Sequence, residues 1–166
     1  MRILLTNDDG IHAPGLFALY RALSSDHQLS IVAPESEMSA VGHAITLTRP
    51  LRVQEIEKSG AFYGYAVIGT PADCVKIAVQ ELLEEPPDFI VSGINPGANV
   101  GVNVLYSGTV SAATEGAFLG IPSAAISLNA RHDVDYRFAA QFGMQVIRFM
   151  MESGLGRGTA LNVNIP

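Results

Sequence analysis

Arg2-Ile3-Leu4-Leu5-Thr6-Asn7-Asp8-Asp9-Gly10 opens the chain with a short apolar run that breaks off into two adjacent acids and a glycine. A run of that length, bounded by turn residues, predicts a buried strand over Arg2 to Thr6. Helical spacing follows at once. Leu16, Leu19, Tyr20 and Leu23 mark one face of a helix over Gly15 to Ser25, and Leu29 to Ala33 is a second apolar run. Strand, helix and strand at these distances make a βαβ unit, whose parallel strands are joined by a crossover helix.

Working outward, the alternation continues. Ala44 to Val53 and Phe62 to Ile68 have extended character around a polar turn at Glu57 to Gly60, which predicts a hairpin or longer β excursion within residues 44–68. A helix is predicted over Ala72 to Leu83, stopped by Glu84-Glu85-Pro86-Pro87, followed by a core strand over Asp88 to Ser92. A helix over Val110 to Leu119, a strand over Ser123 to Leu128, a long amphipathic helix over Tyr136 to Glu152 and a strand over Ala160 to Ile165 complete the pattern. The expected fold is α/β: a Rossmann-like, doubly wound, mostly parallel sheet with right-handed crossovers. One domain over residues 1–166 is expected, and no internal repeat interrupts it.

Composition narrows the function classes. No run of about 18 apolar residues lacks charges, and the first residues enter a strand pattern rather than a signal-peptide layout, so a cytoplasmic protein without membrane contact is expected. Cys74 is the single cysteine, which excludes an intrachain disulfide and predicts a buried thiol in a helix. Ten Lys plus Arg against 16 Asp plus Glu give a net charge of -6, which argues against a nucleic acid duplex as partner. A small anion remains compatible where a metal ion or helix-start N–H groups reverse the local charge.

In an open parallel sheet, ligands sit beyond the carboxyl ends of the strands near a topological switch point. Three polar loops fall there: Asn7 to Gly10, Pro34 to Ser39, and Gly93 to Asn99. Asp8 and Asp9 repel each other when ionised, so the pair shares a proton, solvates outward, or binds a cation through oxygen. Ser107-Gly108-Thr109, ahead of a small-residue helix, fits both an ordinary helix cap and an anion cradle. Familiar alternatives are missing: there is no phosphate loop ending in Gly-Lys-Ser/Thr, no Gly-x-Gly-x-x-Gly after the first strand, no Gly-x-Ser-x-Gly and no His-Glu-x-x-His. His12, His27, His43 and His132 lack metal-ligand spacing, and surface or capping roles are expected for them. Glu35 and Glu37 near Ser39 are expected to be solvated.

Taken together, these blocks resemble the SurE family, the survival-protein 5'-nucleotidases. The likeness rests on Thr6-Asn7-Asp8-Asp9-Gly10 with Pro14-Gly15, and on Ala33-Pro34 with Ser39 and Ile45-Thr46. It extends through Gly69-Thr70-Pro71-Ala72-Asp73-Cys74-Val75, Ser92-Gly93-Ile94-Asn95 with Gly97 and Asn99, and Tyr106-Ser107-Gly108-Thr109-Val110 with Glu115-Gly116. The resemblance implies a divalent-metal-dependent phosphatase acting on nucleoside 5'-monophosphates, with 3'-nucleotides and polyphosphate as further substrates. It implies one Mg²⁺ or Mn²⁺ per subunit, bound by Asp8, Asp9, Ser39 and Asn95, and a homodimer or homotetramer of the full-length protein. Asn7, Asn99, Ser107, Gly108 and Thr109 would surround the phosphate, and Asp8, Asn99 and Ser107 would be catalytic.

The mechanism expected from this set is attack on phosphorus by a metal-activated water, with Asp8 as base and the Ser107 to Thr109 turn stabilising charge on the equatorial oxygens. A covalent route through Ser107 lacks a neighbouring His or Lys as activator. Two departures stand out. Ala40 follows Ser39 where the family commonly has Gly, which makes Ser39 the least secure ligand, and a C-terminal extension is expected to be absent. Two rival readings are a receiver-like phosphoacceptor module and a nucleotide-binding domain without catalysis. The first is weakened because Ser92-Gly93-Ile94-Asn95 offers no acceptor Asp.

Overall fold

Seven strands form one sheet in the order β3-β4-β2-β1-β5-β6-β7. The strands are β1 (Arg2–Thr6), β2 (Gln28–Pro34), β3 (Val53–Lys58), β4 (Ala61–Val67), β5 (Phe89–Pro96), β6 (Ser123–Leu128) and β7 (Ala160–Ile165). This is a computed structural model, and it describes residues 1–130, 134–154 and 157–166. All neighbouring strands are parallel except β3 and β4, so the six parallel strands follow the Rossmann order with one antiparallel strand added at an edge. The doubly wound expectation holds.

Helices α1 (Pro14–Leu23), α2 (Pro71–Ile77), α3 (Gly108–Phe118) and α4 (Tyr136–Glu152) cover the sheet, with α1 against α4 and α2 against α3. Two apolar cores result. Leu16, Leu19 and Leu23 of α1 and Ile147 and Met150 of α4 belong to one, with Ile3, Leu5, Phe89 and Val91. Leu4, Val32 and Ile90 point the other way, onto Cys74, Val75 and Ala112. Alternate side chains of β1 therefore feed opposite cores, the period-2 consequence of a strand covered on both faces. Cys74 is buried, as the sequence predicts.

Several boundaries shift for physical reasons. Pro14 begins α1, where its missing N–H costs nothing. Thr70 caps α2: its hydroxyl accepts from the Asp73 N–H while the Asp73 carboxylate accepts from the Thr70 N–H, a reciprocal box invisible to apolar spacing. The helix predicted to Leu83 ends at Ile77 and continues as a π-helical turn over Ala78–Leu82. Residues 44–52 are not strand, contrary to the extended reading. Ala44 and Thr46 are instead bonded to the side chains of Thr70 and Asp73, and only Val53–Lys58 pairs with β4. The hairpin turns at Ser59 and Gly60, both with positive φ (55° and 76°), the twist that suits a two-residue β connection.

β1 and β5 lie side by side, and the chain leaves them in opposite directions, β1 toward β2 and β5 toward β6. Their carboxyl ends therefore flank the crevice at the switch point. β5 also runs to Pro96, longer than expected, so Asn95 sits on the strand's own end beside Ser127 of β6. Among the described residues no helix is long and apolar enough to cross a membrane.

Candidate functional site

The floor of the crevice is built from the end of β1. Asn7 is fully buried, and its amide donates to the Gly10 carbonyl at 2.9 Å, closing the turn that carries both acids. Gly10 adopts φ 98°, a region open chiefly to glycine. Asp8 is only 6% exposed. Its Oδ1 accepts the Thr109 hydroxyl at 2.6 Å across the crevice, and its carbonyl accepts the Met38 N–H at 2.7 Å. Burial raises the Asp8 pKa, and Thr109 with the backbone N–H groups of Thr109, Asp8 and Gly108 opposes that rise. The start of α3 thus already holds an anion, the Asp8 carboxylate.

Asp9 has no such compensation. Burial first, then the charges of Asp8 and Glu37, push its pKa up to about 7. Its Oδ2 is buried without a hydrogen-bond partner, as is Asn7 Oδ1. Two buried acceptor oxygens and two mutually repelling acids at one strand end are what a hard, oxygen-seeking cation compensates. Asn95 adds a further carbonyl oxygen, because its amide nitrogen is occupied with the Gly97 carbonyl at 2.6 Å. The residues present therefore fit a hard divalent cation. Among the described residues no cluster of three or more His, Cys, Asp or Glu exists, so any such site draws on Asn and Ser oxygens as well.

Over this floor lies a flap, the segment of residues 35–52 between β2 and β3. Ser39 is exposed, and its hydroxyl donates to Glu37 Oε1 at 2.5 Å, so Glu37 is engaged rather than simply solvated. Ala40 has φ 58°, the left-handed conformation in which glycine is at ease and alanine is not. Side chains from the helices tether the flap at its far end. His43 Nε2 meets Glu115 Oε2 of α3 at 2.8 Å, and its ring stacks on Phe118 at 5.4 Å. Asp73 of α2 accepts the Thr46 N–H at 2.9 Å and its hydroxyl at 2.7 Å. Burial works against the Asp73 charge, but these bonds and those from Thr70 outweigh it and hold its pKa below the usual value.

Asn99 closes the third side. It is buried; its N–H donates to Asn164 Oδ1 at 2.7 Å, its amide donates to Ser127 Oγ at 2.9 Å, and its carbonyl accepts from Asn162 Nδ2 at 2.9 Å. Asn162 and Asn164 belong to β7 and were not singled out from sequence, although their i, i+2 spacing puts both on one face of that strand. Ser107 caps α3, accepting the Val110 N–H at 3.1 Å. Gly108 is required for contact rather than conformation: a Cβ there would lie 2.7 Å from Asp8 Cβ and 2.9 Å from Asp8 Oδ2.

A cleft of about 260 Å³ opens above these groups, lined by Asp8, Ser39, Asn95, Asn99 and Ser107 together with Asn103 and Tyr106. Five residues expected at the site therefore share one cavity. Asp9, Asn7, Gly108 and Thr109 stand behind the lining as support for it. His12 is exposed and outside the cleft, His27 is remote with a buried, unpartnered Nδ1, and His132 lies outside the described residues. Sequence reasoning missed the tethers Asp73, His43 and Glu115. A lone acid within each of two helices rich in small residues, Asp73 in α2 and Glu115 in α3, was the available signal.

The chain is similar to known proteins over its whole length. The family model described as survival protein SurE matches residues 3–166. A protein of Syntrophus aciditrophicus named 5'-nucleotidase SurE is 63% identical over 166 residues, spanning 100% of this chain and 62% of the relative. A protein of the same name from Syntrophobacter fumaroxidans is 57% identical, over 100% of this chain and 66% of its own length. The crystal structure of the SurE protein from Aquifex aeolicus superposes with a TM-score of 0.90 at 42% identity, covering all of this chain and 66% of that one. The chain thus spans 62% to 66% of the length of these relatives.

Proposed function

The chain belongs to the survival protein SurE family, and on that premise we propose that it is a divalent-metal-dependent phosphatase of nucleoside 5'-monophosphates. One observation carries the reading: buried Asp8 lines the cleft with Asn95, Asn99 and Ser107, and half-buried Asp9 beside it keeps a buried oxygen without a partner. Asp8, Asp9, Ser39 and Asn95 would hold one Mg²⁺ or Mn²⁺ per subunit. When bound, the cation polarises a phosphoryl oxygen and lowers the pKa of water.

The protein's own groups supply the rest. The Ser107 oxygen accepts the Val110 N–H, which leaves its proton free to donate to a phosphoryl oxygen. Asn99, fixed by Asn164, Asn162 and Ser127, contributes a neutral wall that orients the phosphate without competing for the cation. Asp8 accepts the proton of the attacking water while Thr109 and the start of α3 hold it in place. Water forms the new P–O bond, the bond to the nucleoside oxygen breaks, that oxygen leaves as a hydroxyl after taking up a proton from solvent water, and Asp8 returns to solvent the proton it accepted. Ser107 is a positioning donor in this scheme, not a nucleophile.

The reading extends to a cytoplasmic location and a homodimer or homotetramer, which cell fractionation and light scattering test. A panel of phosphate esters assayed for released phosphate with Mg²⁺ or Mn²⁺, against a chelator control, tests the activity. Release from nucleoside 5'-monophosphates that stops on exhaustive chelation is expected. Undiminished release after chelation would contradict the proposal, and 3'-nucleotides and polyphosphate in the same panel define its range.

A further inference from the structure

Glu37 is an exposed acid on the flap, where a solvated side chain is the ordinary outcome, yet it is engaged in two directions. Its Oε1 accepts the Ser39 hydroxyl at 2.5 Å, the range of a charge-assisted bond. Its charge also reaches the floor: burial, then Asp8, then Glu37 raise the Asp9 pKa.

The backbone beneath Glu37 is seated on that floor. The next residue, Met38, donates its N–H to the Asp8 carbonyl at 2.7 Å, and just upstream the Pro34 carbonyl accepts the Ile11 N–H at 2.9 Å. A Cβ on Gly10 would lie 3.3 Å from the Ser36 carbonyl carbon and 3.5 Å from the Glu37 backbone nitrogen, so the flap leaves β2 in contact with the turn that carries both acids. Glu37 thus joins a fixed main chain to the exposed Ser39.

A hydroxyl has one proton and two lone pairs, and its rotor decides which of them meets a ligand. Because the Ser39 proton is donated to Glu37, the oxygen presents lone pairs to the cleft that it lines with Asp8 and Asn95. That is the form in which a neutral hydroxyl binds a hard cation, and an acceptor held behind a ligand raises that ligand's basicity. We propose that Glu37 is a positioning residue for the cation site: it is not itself a ligand, but it fixes the Ser39 oxygen as an acceptor, securing the one exposed residue among the four that would hold the ion. This rests on the metal-dependent reading above and deepens it.

Calorimetric titration of Mn²⁺ into the metal-free full chain at pH 8 tests this on the parent, Glu37→Ala, Glu37→Gln, Ser39→Ala, the double variant of Glu37→Ala with Ser39→Ala, and Glu35→Ala, which removes another exposed acid from the same flap. Losing a residue that orients a metal ligand weakens affinity by about tenfold or more, whereas losing an exposed charge has an effect of about fivefold at most. Glu37→Ala should therefore weaken Mn²⁺ binding about tenfold, and Glu35→Ala should weaken it by a clearly smaller factor. Glu37→Gln, whose amide oxygen still accepts the hydroxyl, should recover most of the affinity. Beside Ser39→Ala, Glu37→Ala should add no more than Glu35→Ala does alone, because the residue through which it acts is gone. A Glu37→Ala loss that persists in full beside Ser39→Ala would make Glu37 a ligand or a charge in its own right and overturn the assignment. So would a loss matched by Glu37→Gln or by Glu35→Ala, or no loss at all. A parent that binds no Mn²⁺ at millimolar concentration defeats the metal-dependent reading and this assignment together; a parent that binds, with variants that break these relations, defeats the assignment alone.

Discussion

The floor and the flap of the cleft are held by different physics. On the floor, Asp8, Asn7 and Thr109 are buried and joined by hydrogen bonds between the end of β1 and the start of α3. In the flap, Ser39 is exposed, bonded only to a neighbouring acid, and followed by Ala40 at φ 58°. The floor gains precision from burial, at the cost of two acids whose charges lack full compensation. Precision in the flap comes from tethers some distance from Ser39, at His43 and Thr46. Substitutions on the floor should therefore act steeply on chemistry, and those in the flap should act gradually through ligand binding.

The largest effect is expected at Gly108. A β-branched side chain there strikes the Asp8 carboxylate and Pro71 before any ligand is reached, so Gly108→Val should lower kcat/KM by about a hundredfold or more. Ser107→Ala deletes one hydroxyl and should lose about tenfold. Steady-state kinetics on the two variants checks the order, and a greater loss in Ser107→Ala with a trapped phosphoserine would replace the scheme by a covalent one. Thr109→Val preserves shape while removing the 2.6 Å bond to Asp8, and a bond to a charged group implies a loss of about 10- to 100-fold in kcat/KM.

Asp9 sharpens the comparison through pH rather than rate. Its pKa in the folded, metal-free protein is about 7, against about 4 in an unfolded chain, so the folded state retains a proton that the unfolded state releases. Metal-free stability should consequently fall as pH rises from about 4 to about 7 and level off above, with Asp8 acting in the same direction. Asp9→Asn should flatten this slope and melt a few degrees higher than the parent at pH 8 in chelator. Melting curves across that range check it, and a parent slope that Asp9→Asn leaves intact would remove Asp9 as its source.

Flap variants close the series. Glu115→Gln and His43→Ala loosen one tether and should raise KM about two- to tenfold with little change in kcat. Ala40→Gly relieves the left-handed backbone and should stabilise the fold by about 1 kcal/mol, with the smallest effect on turnover of any change considered. Thermal melts and kinetics on the same preparations separate these outcomes. A tether variant that lost kcat as steeply as Thr109→Val would erase the distinction between the two regions.

That distinction also explains what was legible in the sequence. Ser123–Leu128, Tyr136–Glu152 and Ala160–Ile165 were readable to the residue because apolar periodicity reports burial, and burial decides those elements. That the loops carrying Asp8, Asp9 and Asn95 meet at one crevice was readable because strand ends converge at a switch point. The flap was misread as extended from Ala44, since its conformation depends on Asp73 and Glu115, 27 and 72 residues away in sequence, which no local pattern encodes. Asn99 stood out in its loop, but its anchors Asn162 and Asn164 on the last strand did not, because they matter only once β7 lies beside β6. The Ser107 to Thr109 turn admitted both a cap and an anion cradle. Ser107 does cap α3, and the Asp8 carboxylate lies against the same helix start; the cradle remains part of the proposal.

The central claim is that the acid pair at the end of β1, buried Asp8 and half-buried Asp9, is a cation site. Calorimetric titration of Mn²⁺ into the metal-free full chain at pH 6 and pH 8, in two buffers of different ionisation enthalpy, tests it most directly. One ion per chain should bind, more tightly at pH 8, with a proton released at pH 6 because Asp9 must give up the one that burial keeps there, and Asp9→Asn should lose both the affinity and the proton release. An absence of binding at millimolar Mn²⁺, or binding that neither pH nor Asp9→Asn alters, would contradict it.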